Sequence, residues 1–290
     1  MKQINFKVHK SSATQRYLFQ NFIRFNSATT QFMNKVSQNI AVRQLEFGAT
    51  GCIYEVKIAN RVHSYNEDFE KLNAFFYEKI YPLLVMKTSE TGKITAILNQ
   101  GDVAFNWSKH KKQITKLIKV LPFSDKMIKD LEHAIFDEKE FLEGLAGKVE
   151  FKLLFPEIYE SDYEADKKYV KSEPCEELAL QANIPMQVEY NWSQGGNSDS
   201  DNVLRFQGKL NEEKFSEIKE DEMESEEGKL RTMVRTLKDD STAKYRPEIK
   251  QTGFYCLNET HSVRKSLEVI KVKIPEFIYQ DRLTSLTIQN

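Results

Sequence analysis

Apolar residues recur at every second position near both ends of this chain and at every third or fourth position between them, a change of period that calls for sheet at the ends and helices in the middle. Ile4, Phe6 and Val8 alternate with Asn5 and Lys7, as in a strand with one face buried. Tyr17 to Phe25 is aromatic and extended in character. From Cys52 to Val62, Cys52, Tyr54, Val56 and Ile58 take one face while Glu55 and Lys57 take the other. Between these, Phe32, Val36 and Ile40 suit a helix but Val42, Leu45 and Phe47 do not continue it, so 32–47 stays open between helix and strand.

From Asn66 the spacing lengthens. Phe69, Leu72, Phe75, Phe76 and Ile80 predict an amphipathic helix that stops before Pro82. Leu83–Thr88 and Ile94–Leu98 then read as a hairpin whose tight loop uses Gly92 at positive φ. A short strand over Val103–Asn106 follows in this reading. Ile114, Leu117, Ile118 and Leu121 predict a helix; Ser124 caps a second, carrying Met127, Ile128, Leu131 and Ile135. Asp137 caps a third, with Phe141, Leu142 and Leu145, ending near Gly147. Val149–Phe155 returns to alternation, and 157–183 is polar and tyrosine-rich, a connector. Ile184–Trp192, Val203–Leu210, Ile249–Leu257, Ser262–Ile274 and Phe277–Ile288 read as strands.

The fold class predicted is α+β: an antiparallel sheet, or sheets, from N- and C-terminal strands with a helical insertion around 107–146. The expected division is an N-terminal lobe over 1–156, a connector over 157–183 and a mainly β lobe over 184–290, which one continuous domain would also satisfy.

Forty-two Lys and Arg balance 43 Asp and Glu, so the chain lacks the basic excess that coating nucleic acid requires. The first residues have no apolar core of a secretion signal, and no run approaches the roughly 20 apolar residues that cross a bilayer. Cys52, Cys175 and Cys256 are odd in number and widely spaced, which predicts reduced thiols and a cytoplasmic setting. Cys52 and Cys256 fall on apolar strand faces as small hydrophobes.

Phosphate-binding glycine loops, the G-x-S-x-G elbow and the H-E-x-x-H pair are absent, and NSDSDN at 197–202 lacks the glycine and distal glutamate of a calcium loop. No catalytic residue, cofactor or metal is assigned. His63, His110 and His133 would each need a carboxylate brought beside them by the fold. The densest positive stretch follows Trp107: Lys109, Lys112, Lys116 and Lys119 recur at three or four residues and form one helical stripe. It reads either as a docking site for an acidic partner or a phosphate backbone with Trp107 as aromatic anchor, or as the solvated face of an amphipathic helix. Residues 211–229 hold nine acidic side chains against three lysines, with Glu220, Asp221 and Glu222 at the centre. That segment would dock a basic partner or this chain's own lysines, or lie exposed with no partner. Tyr159, Tyr163 and Tyr169 would hold the connector down or contact a partner.

The leading functional reading is a non-catalytic binding, adaptor or assembly protein acting through protein contacts, with homo-oligomers left open. An enzyme, such as a hydrolase using one of the three histidines, is the first alternative. A carrier enclosing an apolar ligand or lipid within a curved sheet is the second.

Overall fold

A computed structural model of the chain describes residues 3–27, 31–64, 67–120, 124–165, 167–177, 182–195, 202–217, 248–274 and 278–289. Its first half contains β1 (Gln3–Asn5), β2 (Gln15–Ser27), β3 (Gln31–Gly48) and β4 (Gly51–His63), then α1 (Glu67–Phe75) running into a π-helical turn at Phe76–Ile80. β5 (Leu84–Thr88) and β6 (Ile94–Ile97) precede four helices, α2 (Gln100–Ile118), α3 (Ser124–Phe136), α4 (Glu138–Ala146) and α5 (Val149–Leu154). β7 (Asp162–Glu164), β8 (Lys168–Glu177), β9 (Ala182–Gln194), β10 (Asn202–Leu210), α6 (Glu212–Glu217), β11 (Glu248–Leu257), β12 (Val263–Ile274) and β13 (Ile278–Gln289) complete the chain.

The molecule is a mixed α+β protein dominated by antiparallel strands. Eleven strands form one sheet in the order β6-β5-β4-β3-β2-β13-β12-β11-β10-β9-β8, while β1 and β7 pair separately. β2 joins β13 along twelve residue pairs, from Ser27 opposite Ile278 to Arg16 opposite Gln289. Strands from the two ends of the chain therefore meet in the middle of the sheet.

Alternation gives that sheet a covered face and an open one. Tyr17 and Phe19 on β2, Ile40 and Val42 on β3, and Val56 and Ile58 on β4 are buried, in one core with Ile80, Trp107, Ile114, Ile118 and Phe151 of the helical layer. Burial of each such side chain contributes roughly 1.5–3 kcal/mol. The undecided stretch at 32–47 is the 18-residue strand β3. Its covered face reads Val36, Gln38, Ile40, Val42, and the buried Gln38 interrupts the apolar alternation.

Three other segments depart from the sequence reading. Val103–Asn106 is helical, because Val103, Trp107, Ile114 and Ile118 form a single buried stripe along α2. Val149–Phe155 is the helix α5 with its C-cap, and Glu150, Phe151, Leu153 and Leu154 are all buried, so no polar face reveals its period. The expected connector holds β7 and β8 as well as loop; β8 pairs along β9 from Lys168 opposite Asn191. Asp137 does cap α4, its Oδ1 accepting from Glu140 N at 2.9 Å. Gly92 adopts φ +92° in the β5–β6 turn, where a Cβ would lie 2.5 Å from the Pro156 carbonyl oxygen.

Candidate functional site

The lysine stripe lies on α2. Spacings of three and four residues keep Lys109, Lys112, Lys116 and Lys119 on one side, opposite the buried stripe, and all four are exposed. Phe105 at the start of this face is 68% exposed and Val120 just beyond the helix is 66% exposed. Among the described residues none of the four lysines is ion-paired; the pair on this helix belongs to Lys111, which reaches Glu132 Oε1 at 2.5 Å. The hydrogen bond from Lys111 holds that carboxyl below its usual range.

Trp107 lies elsewhere. It is 1% exposed, its ring 6.1 Å from that of Phe76, so it anchors α2 to the core and is not presented beside the lysines. The exposed aromatic is Phe105, one turn earlier, whose four-residue spacing to Lys109 was the signal available in the sequence. Glu220, Asp221 and Glu222 lie outside the described residues, as does the NSDSDN run apart from Asn202.

The three histidines do not converge. His63 ends β4, half-buried, and among the described residues its Nδ1 has no hydrogen-bond partner. His110 Nδ1 lies 3.2 Å from Gln113 Oε1, and the exposed His133 lies 3.6 Å from Glu140. A cavity of about 50 Å³ is instead lined by residues from both ends of the chain, among them Tyr17, Gln44, Tyr54, Thr88, Tyr159 and His261. That volume holds a few waters and no acyl chain. Gln44 Nε2 donates to Tyr54 OH at 3.5 Å, and Tyr17 OH donates to the Val263 carbonyl at 2.9 Å. Among the described residues Thr88 Oγ1 has no hydrogen-bond partner. His261 takes φ 55°, and its Nδ1 accepts from Lys7 N at 3.0 Å; burial holds its imidazole below the ordinary value.

Burial also pushes the phenols of Tyr17, Tyr54 and Tyr159 well above their ordinary value of 10.0. Folded chain then binds more protons than unfolded chain once pH exceeds about 10, so the stability they contribute is present below that value and lost above it. Denaturation midpoints are expected to fall steeply above about pH 10. Phenolate absorbance should appear together with unfolding; phenolate formed in the intact protein well before unfolding would contradict this burial.

A polar band crosses the covered face. Gln251 Nε2 donates to Glu268 Oε1 at 2.8 Å, and Arg282 pairs with Glu268 Oε2 at 3.4 Å with the arginine side chain 7% exposed. Thr284 donates to Asn21 Oδ1 at 3.2 Å, and Arg61 donates to Gln38 Oε1 at 2.6 Å while lying 5.1 Å from the Tyr77 ring centre. Tyr77 donates to the buried Glu150 at 2.6 Å, and Lys148 Nζ reaches Tyr77 and Tyr81 at 3.3 and 3.1 Å. Desolvation alone would lower the Lys148 ammonium, but the two phenols and Glu150 outweigh it and raise it. These bonds satisfy groups that would otherwise be costly to bury.

Among the described residues no group of three His, Cys, Asp or Glu is placed to hold a metal, and no helix is long and apolar enough to cross a membrane. The chain matches no protein-family model and no curated protein. Among solved structures, lipovitellin, studied for its lipid–protein interactions, aligns over 96% of this chain and 25% of its own, at 7% identity and a TM-score of 0.47. The chain thus spans about a quarter of lipovitellin's length.

Proposed function

We propose that this is a non-catalytic cytoplasmic binding or assembly protein that docks an acidic segment of another protein along α2. The helical group around 107–146 then serves as an insertion in the sheet's connectivity that displays the lysines. The observation that carries this reading is the exposed face of α2, where Lys109, Lys112, Lys116 and Lys119 run between exposed Phe105 and Val120. Four like charges over about 15 Å raise the local potential and draw an acidic chain, while the apolar ends supply contacts that charge alone lacks. A near-zero net charge of −1 favours a local acidic partner over a nucleic-acid backbone.

The test is titration of a fluorescein-labelled acidic helical peptide of about 15 residues carrying leucine at each end. Binding to the native chain should weaken as salt is added. Replacing the four lysines by glutamine should cost about tenfold or more in affinity, since exposed charge contacts contribute roughly 0.2–1 kcal/mol each. Stability should change by less than about 0.5 kcal/mol per site. Unchanged affinity would remove the stripe from binding, and a collapse of stability would make it structural.

A further inference from the structure

The open face of the sheet carries a second basic surface, built from strands far apart in sequence. Lys209 on β10 stands directly opposite Lys250 on β11, and Lys250 stands directly opposite Lys271 on β12. All three are exposed and project from the face opposite Gly208, Ile249, Ile270 and Val272, so their stems leave the sheet about 5 Å apart. Among the described residues none of the three is ion-paired. The bordering carboxylates are Glu189, Glu248 and Asp281; Glu189 is held by Lys168 at 2.8 Å and also feels Lys209, and Asp281, opposite Lys271, is engaged by Arg24 and by Tyr279 OH. Like charges directly opposite destabilise a sheet, so this row stands at a cost to the free protein.

At its β12 end the row passes into an apolar strip. One two-residue step along β12 from Lys271, about 6.7 Å away, Val269, Leu283 and Phe22 face one another across β12, β13 and β2, while Gln207 and Thr252 take that step beside Lys209 and Lys250. Leu283 is 41% exposed and Phe22 36%. The next step adds Phe254 opposite Leu267, with the Lys265 ammonium 5.9 Å from the Phe254 ring centre. The strip therefore has cations on both sides.

We infer that this face docks an extended acidic segment of another protein, laid across the strands with carboxylates at one end along Lys209, Lys250 and Lys271 and apolar side chains at the other on Val269, Leu283 and Phe22. The two patches share only β12, so a segment crossing the sheet meets the lysines with one half of its length and the apolar side chains with the other. A second copy is the wrong occupant, because two-fold pairing lays this basic face on itself. A membrane is also disfavoured, since the apolar side chains are only partly exposed and offer little to insert. The surface lies on the sheet face opposite the helical layer that contains α2, so it stands or falls independently of the α2 reading.

The test uses the full chain with the four α2 lysines already replaced by glutamine, and a labelled peptide of about eight residues with Glu through one half and Leu through the other. Lys250→Glu turns the row into alternating charge. It should raise Tm by about 1–3 °C while weakening the peptide at least tenfold, a pairing that a structural role would not produce. Lys250→Gln should do both to a smaller extent and keeps the measurement interpretable if the reversal misfolds. A peptide with Ser in place of Leu should bind at least fivefold more weakly.

Four results would overturn the inference: a lower Tm with binding retained, equal affinity for the Ser peptide, sedimentation showing a dimer that Lys250→Glu dissociates, or preferential capture by phosphatidylcholine–phosphatidylserine vesicles over the Leu peptide.

Discussion

Trp107→Ala is expected to lower the free energy of unfolding by about 3–5 kcal/mol, the cost of emptying a buried aromatic site, read by denaturant titration. The indole is 1% exposed and is among the largest fully buried side chains, sharing the inner stripe of α2 with Val103, Ile114 and Ile118. It joins α2 to the π-helical turn through Phe76, and its Nε1 lies a long 3.5 Å from Glu132 Oε1, so the loss would come from packing more than from the hydrogen bond. Trp107→Phe should recover much of it. The exposed lysines lie on the other side of the helix, so below the transition their affinity for an acidic peptide should survive the alanine variant. A cost under about 1 kcal/mol would mean that α2 is not anchored through this ring.

Arg282→Leu is expected to be comparably damaging, about 3–5 kcal/mol, because it strands Glu268 in the middle of the covered face. The glutamate side chain is 13% exposed and, among the described residues, keeps its bond from Gln251 alone. Removing both charges with Arg282→Leu and Glu268→Leu should restore most of the loss, since the pair's attraction largely offsets its desolvation. A double-mutant cycle across the two positions gives the coupling directly. Additive losses in that cycle would show that the two groups act independently.

Why some of the fold could be read from residues and some could not is a matter of how much polarity each element buries. β4 declares itself because Cys52, Val56 and Ile58 are buried on one face, Val56 and Ile58 in the core shared with the helices, while Glu55 and Lys57 face outward. β3 hides because Phe32, Val36 and Ile40 are four apart, a spacing that both strand and helix accept, and because Gln38 occupies a core position through its bond from Arg61. α5 hides for the opposite reason. It buries Glu150 along with Phe151, Leu153 and Leu154, and its Val149, Phe151, Leu153 and Phe155 imitate alternation with Glu150 and Lys152. The α2 lysines were visible because one helix carries them. The row on the open face depends on three strands pairing in one register, and no local spacing announces it.

Placing β2 against β13 has a consequence for how the protein is made. β2 emerges before β13, so the growing chain carries the amino-terminal strands with a 13-residue edge still unpaired. A bare edge of that length is a template for other chains. The amino-terminal strands can organise around β3 and β4, but closing this seam must wait for β13, which makes this step of folding long-range and slow. Chains interrupted before β13 should therefore be sticky, and an edge-shielding chaperone would find its substrate in nascent β2.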